Sequence, residues 1–227
     1  MDKLDRYFEL VREHPDWFVN PPGAEIALVL DENEIRVVEA AMRAYYAARQ
    51  QPEAWARVGI LHHDAYLLLL RDAVRFADGS AGTYIRLVDE RNAAGVIILP
   101  VYQQQVLLTR HFRHATRRWH LEIPRGFGEP GLTSEENARR ELVEETGASI
   151  ARLLPLGHAY PNTGISAECD DFYYAEITSY GLPDSQEGIS ELLTVTIPEF
   201  EALIRDHAID DEFTIVAYAR AKLQGLL

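Results

Sequence analysis

The 227-residue chain holds one cysteine, Cys169, so no intramolecular disulfide can form and a reducing compartment suits it. Long apolar runs are missing as well. The longest, such as residues 65–70, are strand-sized, far short of the roughly 20 residues a membrane-spanning helix needs. The opening Met1-Asp2-Lys3-Leu4-Asp5 is mixed in charge and no spanning run follows, so it does not read as a signal peptide. A cytoplasmic location without a membrane partner is the expectation. Internal repeats and low-complexity tracts are also absent. Positive charge is scarce: 36 acids against 22 bases leave a formal net charge of −14, and Lys3 and Lys222 are the only lysines. That balance argues against non-specific binding to nucleic acid or an anionic surface. It leaves a phosphorylated small molecule open, because a divalent cation can bridge carboxylates and phosphate oxygens.

What is present is ordinary for a soluble globular protein, with 47% hydrophobic and 26% charged residues. The bases are unevenly placed. Between Arg110 and Arg125 lie arginines 110, 113, 117, 118 and 125 and histidines 111, 114 and 120, against one acid, Glu122. Such a basic island is either a solvated loop face or an anion-binding surface.

Residues 1–57 read as a helical extension, with helices over 5–13 and 32–49 on either side of Asn20-Pro21-Pro22-Gly23. In the second helix Ile35, Val38, Ala41 and Tyr45 stand near helical spacing. Residues 58–90 form a β region, with strands at 58–62, 66–71 and 84–88. Asp78-Gly79 predicts a tight hairpin with both turn residues at positive φ. Residues 91–227 form the main domain. Strands are expected at 95–101 and 106–109, then the Arg/His-rich stretch, a loop over 122–132 and a helix over 134–146. Strands at 153–158, 171–177 and 192–197 and helices over 198–206 and 210–226 complete the chain. The order defines an α+β class with a mixed sheet.

The most informative segment is 122–148, EIPRGFGEPGLTSEENARRELVEETGA. Thr133 with Glu136 makes a capping box, and Gly147 stands where a left-handed residue would close the helix. Glu141, Glu144 and Glu145 occupy i, i+3 and i+4, within roughly 100° of arc on one face. Like charges at that spacing repel by a few tenths of a kcal/mol per pair, roughly. A hard divalent cation converts the repulsion into chelation. On spacing alone, a solvated acidic face explains the pattern equally well. Gly126, Gly128 and Gly131 favour a ligand site, because they let the preceding backbone approach closely.

The segment resembles the Nudix box through Gly126, Arg140-Glu141-Leu142-Val143-Glu144-Glu145-Thr146-Gly147 and their spacing. Two positions depart: Leu132 stands where the box has its first Glu, and Ala148 replaces a larger aliphatic residue. In the family that Glu usually partners the box arginine, so Arg140 must find another carboxylate, with Glu129, Glu135 and Glu136 nearby. Shorter matches over about 58–222 resemble the ADP-ribose pyrophosphatase branch. They are Asp78-Gly79 with Tyr84, Gly95 to Pro100, His111-Phe112-Arg113, Glu122 to Gly126, and Pro161 to Glu168.

The resemblance implies a Nudix fold, a mixed β-sheet sandwiched by helices, beside an N-terminal antiparallel sheet, and a homodimer. It implies Mg²⁺- or Mn²⁺-dependent hydrolysis of the pyrophosphate bond of a nucleoside diphosphate derivative, ADP-ribose or an ADP-sugar foremost. Glu141, Glu144 and Glu145 would hold the ions with the backbone carbonyl of Arg125, and Glu144 counts among the catalytic residues. Arg113 is the candidate phosphate clamp, since a guanidinium grips oxyanions bidentately; a surface ion pair is the plainer role. Glu122 would receive a ribose hydroxyl or anchor Arg113. Trp119 would stack on a base or lie buried in the core. The catalytic base would come from the loop 183–191, Glu187 first and Glu191 second. A competing reading is a Nudix-fold module that binds a nucleotide without hydrolysing it, and Leu132 is its support.

Overall fold

The computed structural model describes residues 3–90, 93–181 and 188–227. The chain divides into two compact units, Met1–Glu90 with Asn162–Ala167, and Arg91–Pro161 with Glu168–Leu227.

In the first unit, helix α1 (Lys3–Glu13), strand β1 (Ile26–Leu28) and helix α2 (Glu32–Ala47) precede strands β2 (Gly59–His63), β3 (Leu68–Phe76) and β4 (Ala81–Val88). The sheet is antiparallel: β4 runs along one edge of β3, and β1 and β2 share the other. The expected helical extension therefore also supplies a strand, three residues long and too short to show periodicity. Asp31 caps α2 by accepting from the Glu34 backbone N–H at 3.0 Å. The buried face of α2 carries Ile35, Val38 and Glu39, whereas Ala41 and Tyr45, expected to share it, are exposed. Leu4, Tyr7 and Leu10 of α1 pack with Ile35, Leu68 and Leu70 in one core. The Tyr7 hydroxyl donates to buried Asp72 at 2.5 Å, and Arg86 Nε donates to the same carboxylate at 2.6 Å.

The β3–β4 turn differs from expectation. Gly79 has φ +82° but Asp78 does not have positive φ; the Gly79 N–H donates to the Phe76 carbonyl and the Phe76 N–H to the Ser80 carbonyl. This is a three-residue loop with a left-handed glycine rather than a two-residue turn. Asp78 instead accepts from the Ser80 backbone and hydroxyl, which stabilises the alternative. Residues 162–167 join this unit, with the Leu87 N–H donating to the Ile165 carbonyl at 2.7 Å.

The second unit contains β5 (Val96–Tyr102), β6 (Gln105–Arg113), β7 (Arg118–Glu122), β8 (Arg125–Gly126), α3 (Ser134–Thr146), β9 (Ser149–Ala159), β10 (Asp170–Ser179), β11 (Ile189–Thr196), α4 (Ile197–Arg205) and α5 (Glu212–Leu223). Among the described residues its sheet has seven strands, ordered β11-β6-β5-β10-β9, with β7 pairing β6 and β8 pairing β5. Only β5 and β10 run parallel; the other pairs are antiparallel.

β5 reads as an unbroken apolar run because both its faces are buried. Ile97, Leu99 and Val101 pack with Phe200 of α4 and Ala217 and Tyr218 of α5. Val96 and Ile98 pack with Ala138 and Leu142 of α3. Helices thus cover both faces of a mixed sheet. β5 and β6 meet only at Val101–Val106 and Tyr102–Gln105, around a two-residue turn in which Gln103 and Gln104 both have positive φ. Beyond that turn the two strands part, with β7 on β6 and β8 on β5.

The basic stretch, expected as a solvated loop face or an anion-binding surface, is largely the β6–β7 hairpin, in register from Thr109–Glu122 to Arg113–Arg118. Its charges hid the alternation: in HFR and RWHLE one face carries His111, Arg113, His120 and Glu122. None of the described helices is long and apolar enough to cross a membrane.

Candidate functional site

Helix α3 forms where its sequence signals stand. The Thr133 hydroxyl accepts from the Glu136 N–H at 3.2 Å, and Glu136 Oε2 accepts from the Thr133 N–H at 2.7 Å. At the other end Gly147, at φ +61°, donates its N–H to the Val143 carbonyl at 2.7 Å. Ala138, Leu142 and Glu145 share the face turned to the sheet, at i, i+4 and i+7. Burying Leu142 on this face contributes roughly 1.5–3 kcal/mol. The three acids consequently step outward. Glu145 is 3% exposed, Glu141 is largely covered, and Glu144 reaches solvent.

β8 lies against this helix. A Cβ on Gly126 would collide with the Glu141 carboxyl, which is the reason for a glycine there. The Arg125 N–H donates to Glu145 Oε2 at 3.3 Å. Burial is the largest influence on Glu145 and, with the charges of Glu122 and Glu141, pushes its carboxyl up to about 8, against the opposing pull of Arg113 and the Arg125 N–H.

Arg140 takes the carboxylate the altered box denies it. Its Nη1 lies 3.2 Å from Glu129 Oε1 and 3.4 Å from Glu144 Oε2, and its Nη2 lies 2.7 Å from Glu141 Oε1. Glu129 is held near the helix because its N–H donates to the buried Asn137 side chain at 3.1 Å. The expected position, Leu132, is exposed.

Across the cleft, Glu122 is 1% exposed and fully engaged. Arg113 grips it bidentately through Nη2 and through Nε at 3.2 Å, and His111 Nδ1 lies 3.1 Å from Oε1. Burial pushes the Glu122 carboxyl up, but the neighbouring His111 ring, the Arg113 hydrogen bonds and the charges of Arg113 and Arg125 together outweigh it and hold the group below the usual range. Of its two expected roles, Glu122 fills the anchoring of Arg113.

The α3 acids, Arg140, Glu129, Arg113 and His111 line one cleft of about 750 Å³, at the end of the sheet where β5 and β6 part, with Glu122 buried behind Arg113. Its walls include Arg113, Arg125, Arg140, Glu141, Glu144 and Glu145. Three further residues line it: Glu168, the end of the Pro161–Glu168 match, and Asp170 of β10 and Phe213 of α5, which carried no readable signal because they arrive from elements distant in sequence. A larger groove of about 970 Å³ beside Gln103 and Tyr174 has one acid, Glu176, and no basic side chain, so it lacks the means to hold phosphate.

Three expected residues fall elsewhere. Trp119 is 44% exposed, so it is not a core indole, and it pairs with Phe112 on the hairpin face opposite Arg113, outside the cleft lining. There it packs on Phe112 and under the Arg110 guanidinium, 4.8 Å from its centroid. Glu191 is exposed on β11 opposite Arg110, also outside the lining. Glu187 lies outside the described residues.

Among the described residues no group of three or more His, Cys, Asp or Glu is set to hold a metal ion. Arg140 supplies the positive charge between Glu129, Glu141 and Glu144. The donor chemistry nonetheless suits a hard cation: carboxylate oxygens on one helix face, one of them held protonated by burial until a positive charge offsets the cost.

A mixed sheet between helices, with a glutamate-bearing helix against a glycine strand, defines the class of fold. The NUDIX domain profile matches residues 90–215, more than half the chain. The chain belongs to the Nudix family. It is 30% identical over 139 residues to the ADP-ribose pyrophosphatase of Bacillus subtilis (strain 168), covering 59% of this chain and 74% of that protein. It is 30% identical over 150 residues to the ADP-sugar pyrophosphatase of Mus musculus, covering 60% and 67%. The crystal structure of an ADP compounds hydrolase superposes with a TM-score of 0.66 at 20% identity, over 75% of this chain and 95% of that one, a likeness of fold.

Proposed function

We propose that this protein hydrolyses the pyrophosphate bond of a nucleoside diphosphate derivative, ADP-ribose or an ADP-sugar, with Mg²⁺ or Mn²⁺. The observation that carries the reading is one cleft in which the α3 carboxylates face Arg113, held by buried Glu122, and His111. The names of the relatives support the substrate class.

Glu141, Glu144 and Glu145, with the Arg125 carbonyl, would hold the divalent ion. When bound, it neutralises charge on the phosphate oxygens. Water attacks one phosphorus of the diphosphate and two monophosphates leave. Glu144, the most open of the three carboxylates, is the described acid best able to accept the water proton. Arg140 balances charge on Glu141 and Glu144, and Glu122 fixes Arg113 at the opposite wall. The support for a non-hydrolysing module weakens, because Glu129 serves Arg140 in place of a glutamate at position 132. A cytoplasmic homodimer completes the reading, with sedimentation as the test of assembly.

The test is incubation with Mg²⁺ and a panel of nucleoside diphosphate derivatives beside Glu144→Gln and Glu145→Gln. The expected result is AMP release from ADP-ribose or an ADP-sugar that both substitutions and chelation abolish. Binding of panel members without any monophosphate release would overturn it in favour of the sensing module.

A further inference from the structure

Arg113 and Arg125 both line the cleft, but their donors are used differently. Arg113 spends its fork on Glu122, through Nε and Nη2 together. Arg125 spends nothing comparable. Among the described residues its guanidinium makes no hydrogen bond. Its Nη2 stands 3.4 Å from Asp211 Oδ1 and 3.7 Å from Glu122 Oε2, both ion-pair separations, and its buried Nε has no partner.

The two neighbouring carboxylates are engaged elsewhere. Asp211 Oδ2 caps α5 by accepting from the Thr214 N–H at 2.9 Å and its hydroxyl at 2.7 Å. Glu122 is gripped by Arg113, with His111 Nδ1 3.1 Å from its Oε1. The Arg125 guanidinium sits over the Phe213 ring, 4.5 Å from its centroid, which steadies the fork. Guanidinium N–H groups without acceptors are costly where water is excluded, and a planar fork matches phosphate bidentately. The backbone of the same residue reaches Glu145, so the fork is carried by the strand that lies against the helix carboxylates.

We propose that the Arg125 guanidinium grips the non-bridging oxygens of the substrate's diphosphate, and that Arg113, committed to Glu122, is a positioning residue rather than the clamp. This rests on the proposed function for the identity of the substrate, but not for the presence of an anion site. The group recognised is a diphosphate, free or within a nucleoside diphosphate.

The experiment is calorimetric titration of the full chain with inorganic pyrophosphate and with ADP, in chelator, for wild type, Arg125→Ala, Arg125→Met and Arg125→Lys. Methionine keeps an apolar stem over Phe213, which guards against a merely unfolded variant; circular dichroism checks each protein. Removing a charge-assisted fork should weaken both probes by about ten- to a hundredfold in the Ala and Met variants. Lysine, a point charge without the fork, should recover part of the loss. Unchanged affinity in folded Arg125→Met, or no binding by the wild type, would overturn the assignment. Turnover is read separately. Arg125-dependent pyrophosphate binding without hydrolysis of any nucleoside diphosphate in Mg²⁺ would sink the functional reading and leave this one standing. Mg²⁺-dependent hydrolysis with KM and affinity unmoved in Arg125→Met would do the reverse.

Discussion

Arg113 and Glu122 meet across the β6–β7 hairpin, the guanidinium gripping a carboxylate that is 1% exposed. Removing one partner leaves a buried charge uncompensated. Arg113→Ala, which strands the buried Glu122 carboxylate, should therefore destabilise the fold by about 3–5 kcal/mol, measured by urea denaturation at pH 7. A loss below about 1 kcal/mol would show that water reaches the pair freely.

The pH dependence of this group has a definite sign. The folded-state carboxyl of Glu122 lies below its unfolded value of 4.5, so the fold binds fewer protons there than the unfolded chain. Its contribution is fully present above about 4.5 and is lost as pH falls through the folded value. Wild type should lose stability below pH 4.5 more steeply than Glu122→Gln, and parallel acid profiles of the two proteins would refute the assignment.

Glu145 works in the opposite direction. Its folded-state carboxyl titrates near 8 and its unfolded one near 4.5, so between these values the fold holds a proton the unfolded chain has released. In chelator, stability should fall as pH rises from about 4.5 to 8, with a limiting slope of about 1.4 kcal/mol per pH unit. Glu145→Gln should flatten that profile. Thermal melts at half-unit pH steps are the check, and a wild-type melting temperature that rises over the window would contradict it.

The Glu129–Arg140 pair predicts a compensation. Glu129→Ala should lower turnover several-fold by freeing Arg140 from one of its three acids. Adding Leu132→Glu to that variant should restore much of it. Stability should shift by only about 0.2–1 kcal/mol, since the pair is partly exposed. Additive losses in the double variant would argue that position 132 cannot reach Arg140.

Gly126→Ala tests the approach of β8 to α3. Its Cβ would collide with the Glu141 carboxyl. Overpacking of this kind costs about 1–3 kcal/mol, and here it also displaces an acid of the cleft. Activity should fall far more than stability; a fully active Gly126→Ala would mean that the strand and helix separate during turnover.

Much of this protein was legible without coordinates where the controlling interactions are local. The capping box of Thr133 and Glu136, the closure at Gly147 and the grouping of Glu141, Glu144 and Glu145 on one helix are settled within a turn or two. The Val96–Tyr102 strand announced itself by its apolar run, because both its faces are buried. Local reading failed where two segments had to meet. The pairing of 109–113 with 118–122 was hidden by arginines and histidines on both faces, and β1 by its length.

By itself, then, the sequence determined the family, the carboxylate helix and the basic island opposite an acidic background. Tertiary structure decided which charge answers which. Pairing of β6 with β7 gave Arg113 to Glu122 and turned Trp119 away, packing of α3 on the sheet buried Glu145 while leaving Glu144 open, and the loop before the helix brought Glu129 to Arg140. The physical reason is that burial and ion pairing depend on distances between segments remote along the chain, which residue spacing in one segment cannot encode.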